Sequence, residues 1–298
     1  SSLDVYNTAV GYNAGFAITT GLNNTLIGGL AGDALQAASD NVAVGFEALT
    51  TETGGQNNVA IGPRTLQSQI NASGNIYNTA VGSSAGRAVT TGIKNTLIGG
   101  LAGDALNTGS YNVAVGMQAL SADTKGAKNV AIGQGALESQ NFTSATDSYN
   151  TAVGHFAGGN LSVGTNNTLI GGLAGDAITT ASSNTAVGSE ALTTNTTGAD
   201  NAALGRRSLN SNTTGSNNTG LGLQALYSNT TAPNNTAVGE SALFANTTGA
   251  ENVAIGKGAL QFNTTAPDNA AVGVQALRYN TTGTSNTAIG RSALYSNT

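Results

Sequence analysis

Cysteine is absent from this 298-residue chain, so disulfides and thiolate metal sites are excluded. Tryptophan is also absent, there are only 3 Pro, and aromatic residues make up 5% of the chain. So few large side chains leave little volume to fill a wide core. Charged residues are only 8%, which argues against disorder, because disordered tails are typically highly charged. We therefore expect a folded chain with a narrow core.

Basic clusters and long apolar runs are missing as well. The net charge is −5, and Lys and Arg do not cluster beyond the pair Arg206–Arg207. A nucleic-acid partner is therefore not expected. No apolar run approaches the roughly 18 residues of a membrane span, so we expect no membrane insertion.

What the chain has instead is a repeat. The pattern Asn-[Thr/Val/Ala]-x-[Val/Ile/Leu]-Gly recurs every 17 residues, except for gaps of 20 after Asn58 and 21 after Asn129. We count positions within each repeat from this asparagine as position one. The asparagines are Asn7, Asn24, Asn41, Asn58, Asn78, Asn95, Asn112, Asn129, Asn150, Asn167, Asn184, Asn201, Asn218, Asn235, Asn252, Asn269 and Asn286.

Each repeat is too short for a helical hairpin and lacks the apolar stripe of a helix. Two or three short strands joined by tight Gly and Asn corners fit 17 residues. The period therefore predicts an all-β, parallel β-solenoid of about seventeen coils, stacked about 4.8 Å apart. The position-one asparagines should form a structural ladder, in which each side-chain amide bonds its neighbours above and below.

A longer repeat lies over the first part of the chain. NTLIGGLAGDA occurs at 24–34, 95–105 and 167–177, and enlarged coils lie at 58–77 and 129–149. The sequence thus divides into residues 1–183, with a four-coil super-repeat, and residues 184–298, with uniform coils. Ancestry by duplication explains this pattern, and no chemistry is required.

The repeat letters resemble those of known families. NVAIG at 58–62, 129–133 and 252–256, with NTAVG or NTAIG elsewhere, is similar to the head repeats of YadA-like trimeric autotransporter adhesins. The same arrays also look like those in bacteriophage tail-fibre proteins. The resemblance implies a left-handed parallel β-roll, in which three chains pack together and the assembly binds a host surface.

The strand pattern independently favours a multimer. Positions two and four lie on one face of the strand and position three on the other, and both faces are apolar. A solenoid that buries a single face of each strand would need only one apolar strand face. Solenoids also need polar caps, and the first and last repeats lie close to the ends of this sequence. We therefore expect a homotrimer, with a self-stacking filament as the alternative.

The enlarged coils are the best surface candidates, because insertions in solenoids form loops on one face. They carry Ile70, Ile76, Tyr77, Phe142 and Tyr149. In one interpretation these residues contact a receptor. In the other, the loops pack back over the roll and the tyrosines wedge beside the next coil.

Other sites are weaker. Asp33, Asp104 and Asp176 are the last residue but one of the identical segments, and they are either metal- or receptor-binding carboxylates or solvated corners copied by duplication. Ca²⁺ wants six to eight oxygens, and no partner carboxylate is near in sequence. His155 is the only histidine, so no histidine pair exists. We expect no catalytic residue, metal or cofactor, and hence no enzyme.

A second ladder runs through the last third as Asn-Thr-Thr, starting at 195, 212, 229, 246, 263 and 280. We favour a structural ladder, with ice binding by the threonines as an alternative that offers only one outward row. Together these observations predict a structural, adhesive fibre protein on a virion or a cell surface. Its partners would be two further copies of itself and a cell-surface glycan or protein receptor.

Overall fold

The computed structural model describes residues 5–71 and 73–297, and in these ranges it contains short strands and turns but no helix. The chain forms two compact units, Ser1–Tyr149 and Asn150–Thr298. Each unit is a parallel β-solenoid, and the two together have about seventeen coils. The predicted all-β parallel solenoid is confirmed. The predicted change from super-repeat to uniform coils after residue 183 stays a prediction.

In the described part of the first unit, each coil contributes one three-residue strand, and two-residue strands form side ladders. The three-residue strands are β1 (Thr8–Val10), β2 (Thr25–Ile27), β3 (Val42–Val44), β5 (Val59–Ile61), β7 (Thr79–Val81), β8 (Thr96–Ile98), β9 (Val113–Val115) and β11 (Val130–Ile132). The two-residue strands are β4 (Gly55–Gln56), β6 (Gly74–Asn75), β10 (Gly126–Ala127) and β12 (Thr146–Asp147).

The second unit contains only three-residue strands among its described residues. They are β13 (Thr151–Val153), β14 (Thr168–Ile170), β15 (Thr185–Val187), β16 (Ala202–Leu204), β17 (Thr219–Leu221), β18 (Thr236–Val238), β19 (Val253–Ile255), β20 (Ala270–Val272) and β21 (Thr287–Ile289).

Neighbouring coils pair in parallel with equivalent positions opposite each other. In the first unit the sheet runs β1-β2-β3-β5-β7-β8-β9-β11. In the second unit it runs from β13 to β21 in chain order. The enlarged coils keep this register, and their extra residues lead into the side ladders β4–β6 and β10–β12.

Left-handed residues form the corners of each coil. In the coil 218–234, Gln224, Leu226 and Asn234 have φ values of 56°, 53° and 61°. These are positions seven, nine and seventeen, and the same positions are left-handed in most coils. A left-handed residue interrupts extended backbone. The expectation of two or three strands per coil is therefore wrong for most coils, which have one strand followed by turns.

Glycine at position five lets the coils stack closely. These glycines have φ between 122° and 140°, a region that side chains rarely adopt. A Cβ at Gly99 would lie 2.5 Å from the carbonyl oxygen of Gly116 in the next coil. The same conflict recurs along the column, so only glycine fits there.

The core is a thin column of small and aliphatic side chains. The residue at position three, the middle residue of each three-residue strand, is Ala or Leu in nearly every coil and points inward together with the alanine at position eight; Ala114 and Ala119, for example, are fully buried. Each coil then adds one larger aliphatic side chain, at position nine or at position twelve. Coils with Gly at nine have Ile, Leu or Val at twelve, whereas coils with Leu at nine have a polar residue at twelve.

Steric exclusion explains this alternation. A Cβ at Gly103 would meet the Leu97 side chain at 2.8 Å and the Leu106 side chain at 2.9 Å. In the next coil Leu120 occupies position nine, and the buried residue at twelve is Asp123. Two glycine coils followed by two leucine coils make up the four-coil super-repeat. The repeated segment NTLIGGLAGDA is thus a packing solution that combines Leu at position three with Gly at position nine, and Leu or Ile follows it at position twelve.

Substitutions at two adjacent glycines test the close stacking. Gly99→Ala places Cβ against the neighbouring coil at a positive φ, so we expect a loss of about 1–3 kcal/mol or more in unfolding free energy. Gly100→Ala is the matched control, since nothing lies within 4 Å of the added carbon. Its effect should stay within about 0.5 kcal/mol. Chemical denaturation measures both, and equal effects would contradict the stacking constraint.

Candidate functional site

The position-one asparagines hold the backbone together and are mostly buried. The Asn95 Oδ1 accepts the backbone N–H of Asn112 at 2.9 Å, which links two coils. The Asn95 Nδ2 donates to the Gly109 carbonyl at 2.9 Å, which closes its own coil. Direct amide-to-amide bonds, such as Asn41 to Asn24 at 3.2 Å, accompany this pattern at some levels. The side chains therefore act structurally and are not available to a ligand.

The Asn-Thr-Thr segments form a second column. Asn212 donates to Asn195 Oδ1 and to the Gly215 carbonyl, both at 2.8 Å. The first threonine of each of the first four segments donates to a backbone carbonyl in the next coil, as Thr213 does to Thr230 at 3.0 Å. The second threonine is exposed in every segment. These outward threonines are Thr197, Thr214, Thr231, Thr248, Thr265 and Thr282.

Two buried carboxylates occupy the equivalent position twelve in coils of the first unit, and no sequence pattern singled them out. Glu52 and Asp123 have no exposed surface. Asp123 accepts hydrogen bonds from the backbone of Gly126 and Phe142, at 3.0 and 3.2 Å, and from Gln140 at 2.7 Å. Glu52 is bonded in the same way by backbone N–H groups and by Gln69. Each carboxylate thus ties its own coil to positions twelve and fourteen of the enlarged coil that follows.

The predicted receptor-contact residues fall into two groups. Ile76 and Phe142 are only 4% and 6% exposed, so these two side chains pack inward. Ile70, Tyr77 and Tyr149 are about half exposed and remain accessible. Their contact with a receptor stays a prediction.

The aspartates of the repeated segment differ in their surroundings. Thr50 donates a hydrogen bond to Asp33, and Asp104 lies 3.9 Å from the Arg87 guanidinium. Asp176 has one buried oxygen without a partner. Burial raises the pKa of Asp104 and of Asp176, and the Arg87 charge partly offsets the rise at Asp104.

Other titratable groups are scattered. Glu47, Glu190 and Glu240 each form an ion pair with a cation one coil away, at distances of 3.1, 2.7 and 2.9 Å. His155 is exposed and contacts the Phe156 ring edge-on at 4.6 Å. Among the residues that the structure describes, no three His, Cys, Asp or Glu side chains are grouped as metal ligands would be.

A groove in the first unit is lined by two of the four lysines of the chain. It has a volume of about 550 Å³ and lies beside the side ladder β10–β12. Lys128 donates to Asp147 at 2.6 Å and to the Tyr149 hydroxyl at 3.0 Å, and the bond to Asp147 is the main reason that the pKa of Lys128 is raised. The lining residues are Thr108, Ser110, Tyr111, Lys125, Ala127, Lys128, Ala145, Thr146 and Asp147.

A column of alternating tyrosine and lysine runs past this groove, at the last position of five successive coils. The Lys94 Nζ lies over the Tyr111 ring, 5.1 Å from the ring centroid, and the Lys128 Nζ lies over the Tyr149 ring, 5.0 Å from its centroid. Tyr77 begins the column, and all five residues are exposed. The sequence carried this signal as a Tyr or Lys before Asn78, Asn95, Asn112, Asn129 and Asn150.

The outer strand face is apolar and uncharged. Ile98 and Ile132 are 39% and 38% exposed, with Thr or Val beside them at position two. The position-four row consists of Val10, Ile27, Val44, Ile61, Val81, Ile98, Val115 and Ile132 in the first unit, and Val153, Ile170, Val187, Leu204, Leu221, Val238, Ile255, Val272 and Ile289 in the second. Each unit thus presents a continuous apolar strip.

No protein-family model matches the chain, and no curated protein matches its sequence. Among the described residues, no helix is long and apolar enough to cross a membrane.

The buried carboxylate can be tested with an isosteric change. Asp123→Asn replaces an acceptor by an amide whose NH₂ faces N–H donors, so we expect a loss of about 1–3 kcal/mol in unfolding free energy. Asp268→Asn is the control, because Asp268 is exposed. Denaturant unfolding compares the two. An unchanged midpoint in Asp123→Asn would show that the carboxylate is dispensable.

The raised pKa of Asp176 has a consequence for stability. The folded state binds this proton more tightly than the unfolded state, so stability falls as the pH rises from the ordinary Asp pKa through the raised one. Asp176→Asn should therefore raise the denaturation midpoint at neutral pH but not at acid pH, below the ordinary pKa. In Asp104→Asn the rise should be smaller, because Arg87 loses a partner. Equal rises at both pH values would contradict the titration.

Proposed function

We propose that this chain is a structural and adhesive fibre protein, a rigid shaft or head that assembles as a homotrimer and takes part in receptor binding. The supporting observation is the outer strand face. Parallel sheets are normally covered on both faces, and this one is covered only on the inside. Contiguous exposed apolar patches mark interaction sites.

Copies of the same chain are the partner that best fits this face. The strip repeats with the coil spacing, so an identical strip matches it coil for coil. It has no charged side chain at positions two and four, so association leaves no charge unpaired there. A closed ring of three copies buries all the strips without leaving an open edge. The resemblance to adhesin head and tail-fibre repeats implies the same stoichiometry and a left-handed roll.

The location proposed for the assembly is a virion or a cell surface, facing outward. A column of hydrogen-bonded asparagines and a glycine-stacked backbone suit a thin rod that must keep its shape without disulfides. The receptor would be a glycan or a protein on a cell surface. The scattered and ion-paired carboxylates support a role without catalysis.

Light scattering on the purified chain tests this proposal. We expect three times the chain mass of 29.3 kDa, with a β-rich circular dichroism spectrum. The variant Ile98→Lys/Ile132→Lys introduces charges on the strand face and should give a folded monomer. The control Thr91→Lys/Ser139→Lys adds the same charge at exposed turn positions and should remain trimeric.

Other masses would contradict the trimer. An open-ended polymer would favour the self-stacking filament. A monomer that produces thermal hysteresis would favour ice binding through the regular row of exposed threonines.

A further inference from the structure

We propose that the groove beside β10–β12 is a binding site for a carboxylated saccharide, with Lys125 and Lys128 receiving the carboxylate. The inference rests on the adhesive role proposed above and specifies the receptor chemistry. It is carried by the groove lining, by the lysine–tyrosine column and by a comparison of the two super-repeats.

The lining matches a sugar better than a peptide. Apart from Tyr111, its apolar side chains are only Ala127 and Ala145, which offer nothing for a peptide side chain to pack on. Its hydroxyl groups and the Asp147 carboxylate suit a ligand with several hydroxyls of its own. Lys94 lies over the Tyr111 ring, and the part of this exposed ring that Lys94 leaves uncovered supplies an apolar surface for the C–H bonds of a sugar ring. The volume of about 550 Å³ lies within the usual range of ligand sites.

The positive charge in the groove is only partly neutralised. Asp147 pairs with Lys128, but Lys94 and Lys125 form no salt bridge with any residue that the structure describes. The chain as a whole is acidic, with 15 Asp and Glu against 10 Lys and Arg. Three of its four lysines lie in or beside this one groove. Such a local excess of cations attracts an anionic ligand.

The left-handed corner residues of the lysine–tyrosine column are an independent indication that the groove has a binding role. Tyr77, Lys94, Tyr111, Lys128 and Tyr149 all have φ between 50° and 62°. At the same position most other coils carry Asn, Asp or Ser, and the first two tolerate left-handed backbone best. The cation–π contacts stabilise the column, but they do not involve Lys125, which lines the groove without a salt-bridge partner.

The first super-repeat has an equivalent side ladder without the lysines. Its side ladder β4–β6 is equivalent to β10–β12, and Asn57 there donates to Asn75 at 2.9 Å where the second has the Lys128–Asp147 pair. The counterparts are Asp40 for Tyr111, Gly54 for Lys125, Asn57 for Lys128 and Asn75 for Asp147. Because both frames fold, the lysines are not needed to build the ladder.

This comparison supplies the test variant. Lys125→Gly/Lys128→Asn installs the residues of the first super-repeat, so we expect it to fold normally. Lys257→Ala/Arg291→Ala removes the same charge from exposed positions in the second unit and is the matched control. The purified 298-residue chain is titrated calorimetrically with trigalacturonate and with sialyllactose. Galactotriose and lactose are the uncharged counterparts, and a tetra-aspartate peptide tests the alternative ligand class.

At least one acidic saccharide should bind, and its uncharged counterpart should bind at least tenfold more weakly. The groove variant should lose at least tenfold in affinity, whereas the control variant should keep it. The site is overturned if neither acidic saccharide binds, if the uncharged sugar binds equally well, or if the groove variant binds normally. Tighter binding of the peptide would overturn the choice of a saccharide. Light scattering measures the oligomeric state and calorimetry measures sugar binding, so the two proposals can fail separately. Binding by a monomer would contradict only the trimer, and a trimer that binds neither sugar would contradict only this site.

Discussion

The close contact of each coil with the next is the constraint on which the rest of the structure depends. At position five a glycine carbonyl lies where the Cβ of the neighbouring coil would be, as Gly116 does under Gly99. This contact holds the strands in register. It also brings each position-one asparagine within reach of the next backbone N–H, while its amide closes its own coil. The glycine and asparagine columns are therefore two consequences of one spacing.

A coil held at this spacing has room for only one larger aliphatic side chain at positions nine and twelve together. Leu106 opposite Gly103, and Leu120 beside Asp123, are the two ways of filling the space. Where leucine is at position nine, position twelve becomes a buried polar site that must be satisfied by hydrogen bonds. Asparagine satisfies it with a carbonyl partner, and Glu52 and Asp123 satisfy it with backbone N–H groups. The interior side chains are therefore used for packing and hydrogen bonding, and only the outer surface is left for contact with other molecules.

The outer surface varies while the frame stays constant. The strand face keeps an apolar row in every coil, which suits association along the whole length. The last positions of the coils differ between super-repeats, and there the same side ladder carries either neutral asparagines or a lysine-rich groove. In a solenoid the outward residues at different levels change almost independently, because each coil contacts only its neighbours.

The sequence by itself determined the parallel solenoid, its register and the asparagine column, because one period repeated seventeen times leaves a single way to align equivalent residues. It also indicated a single outward threonine row. It did not reveal that most coils have one strand, since leucine rarely adopts the left-handed φ that interrupts extended backbone at residues such as Leu226. Nor did it separate buried Ile76 and Phe142 from exposed Tyr77 and Tyr149, or bring Lys125 beside Asp147. Those outcomes depend on how the extra residues of the enlarged coils fold back, which is decided by contacts between coils and leaves no periodic signal.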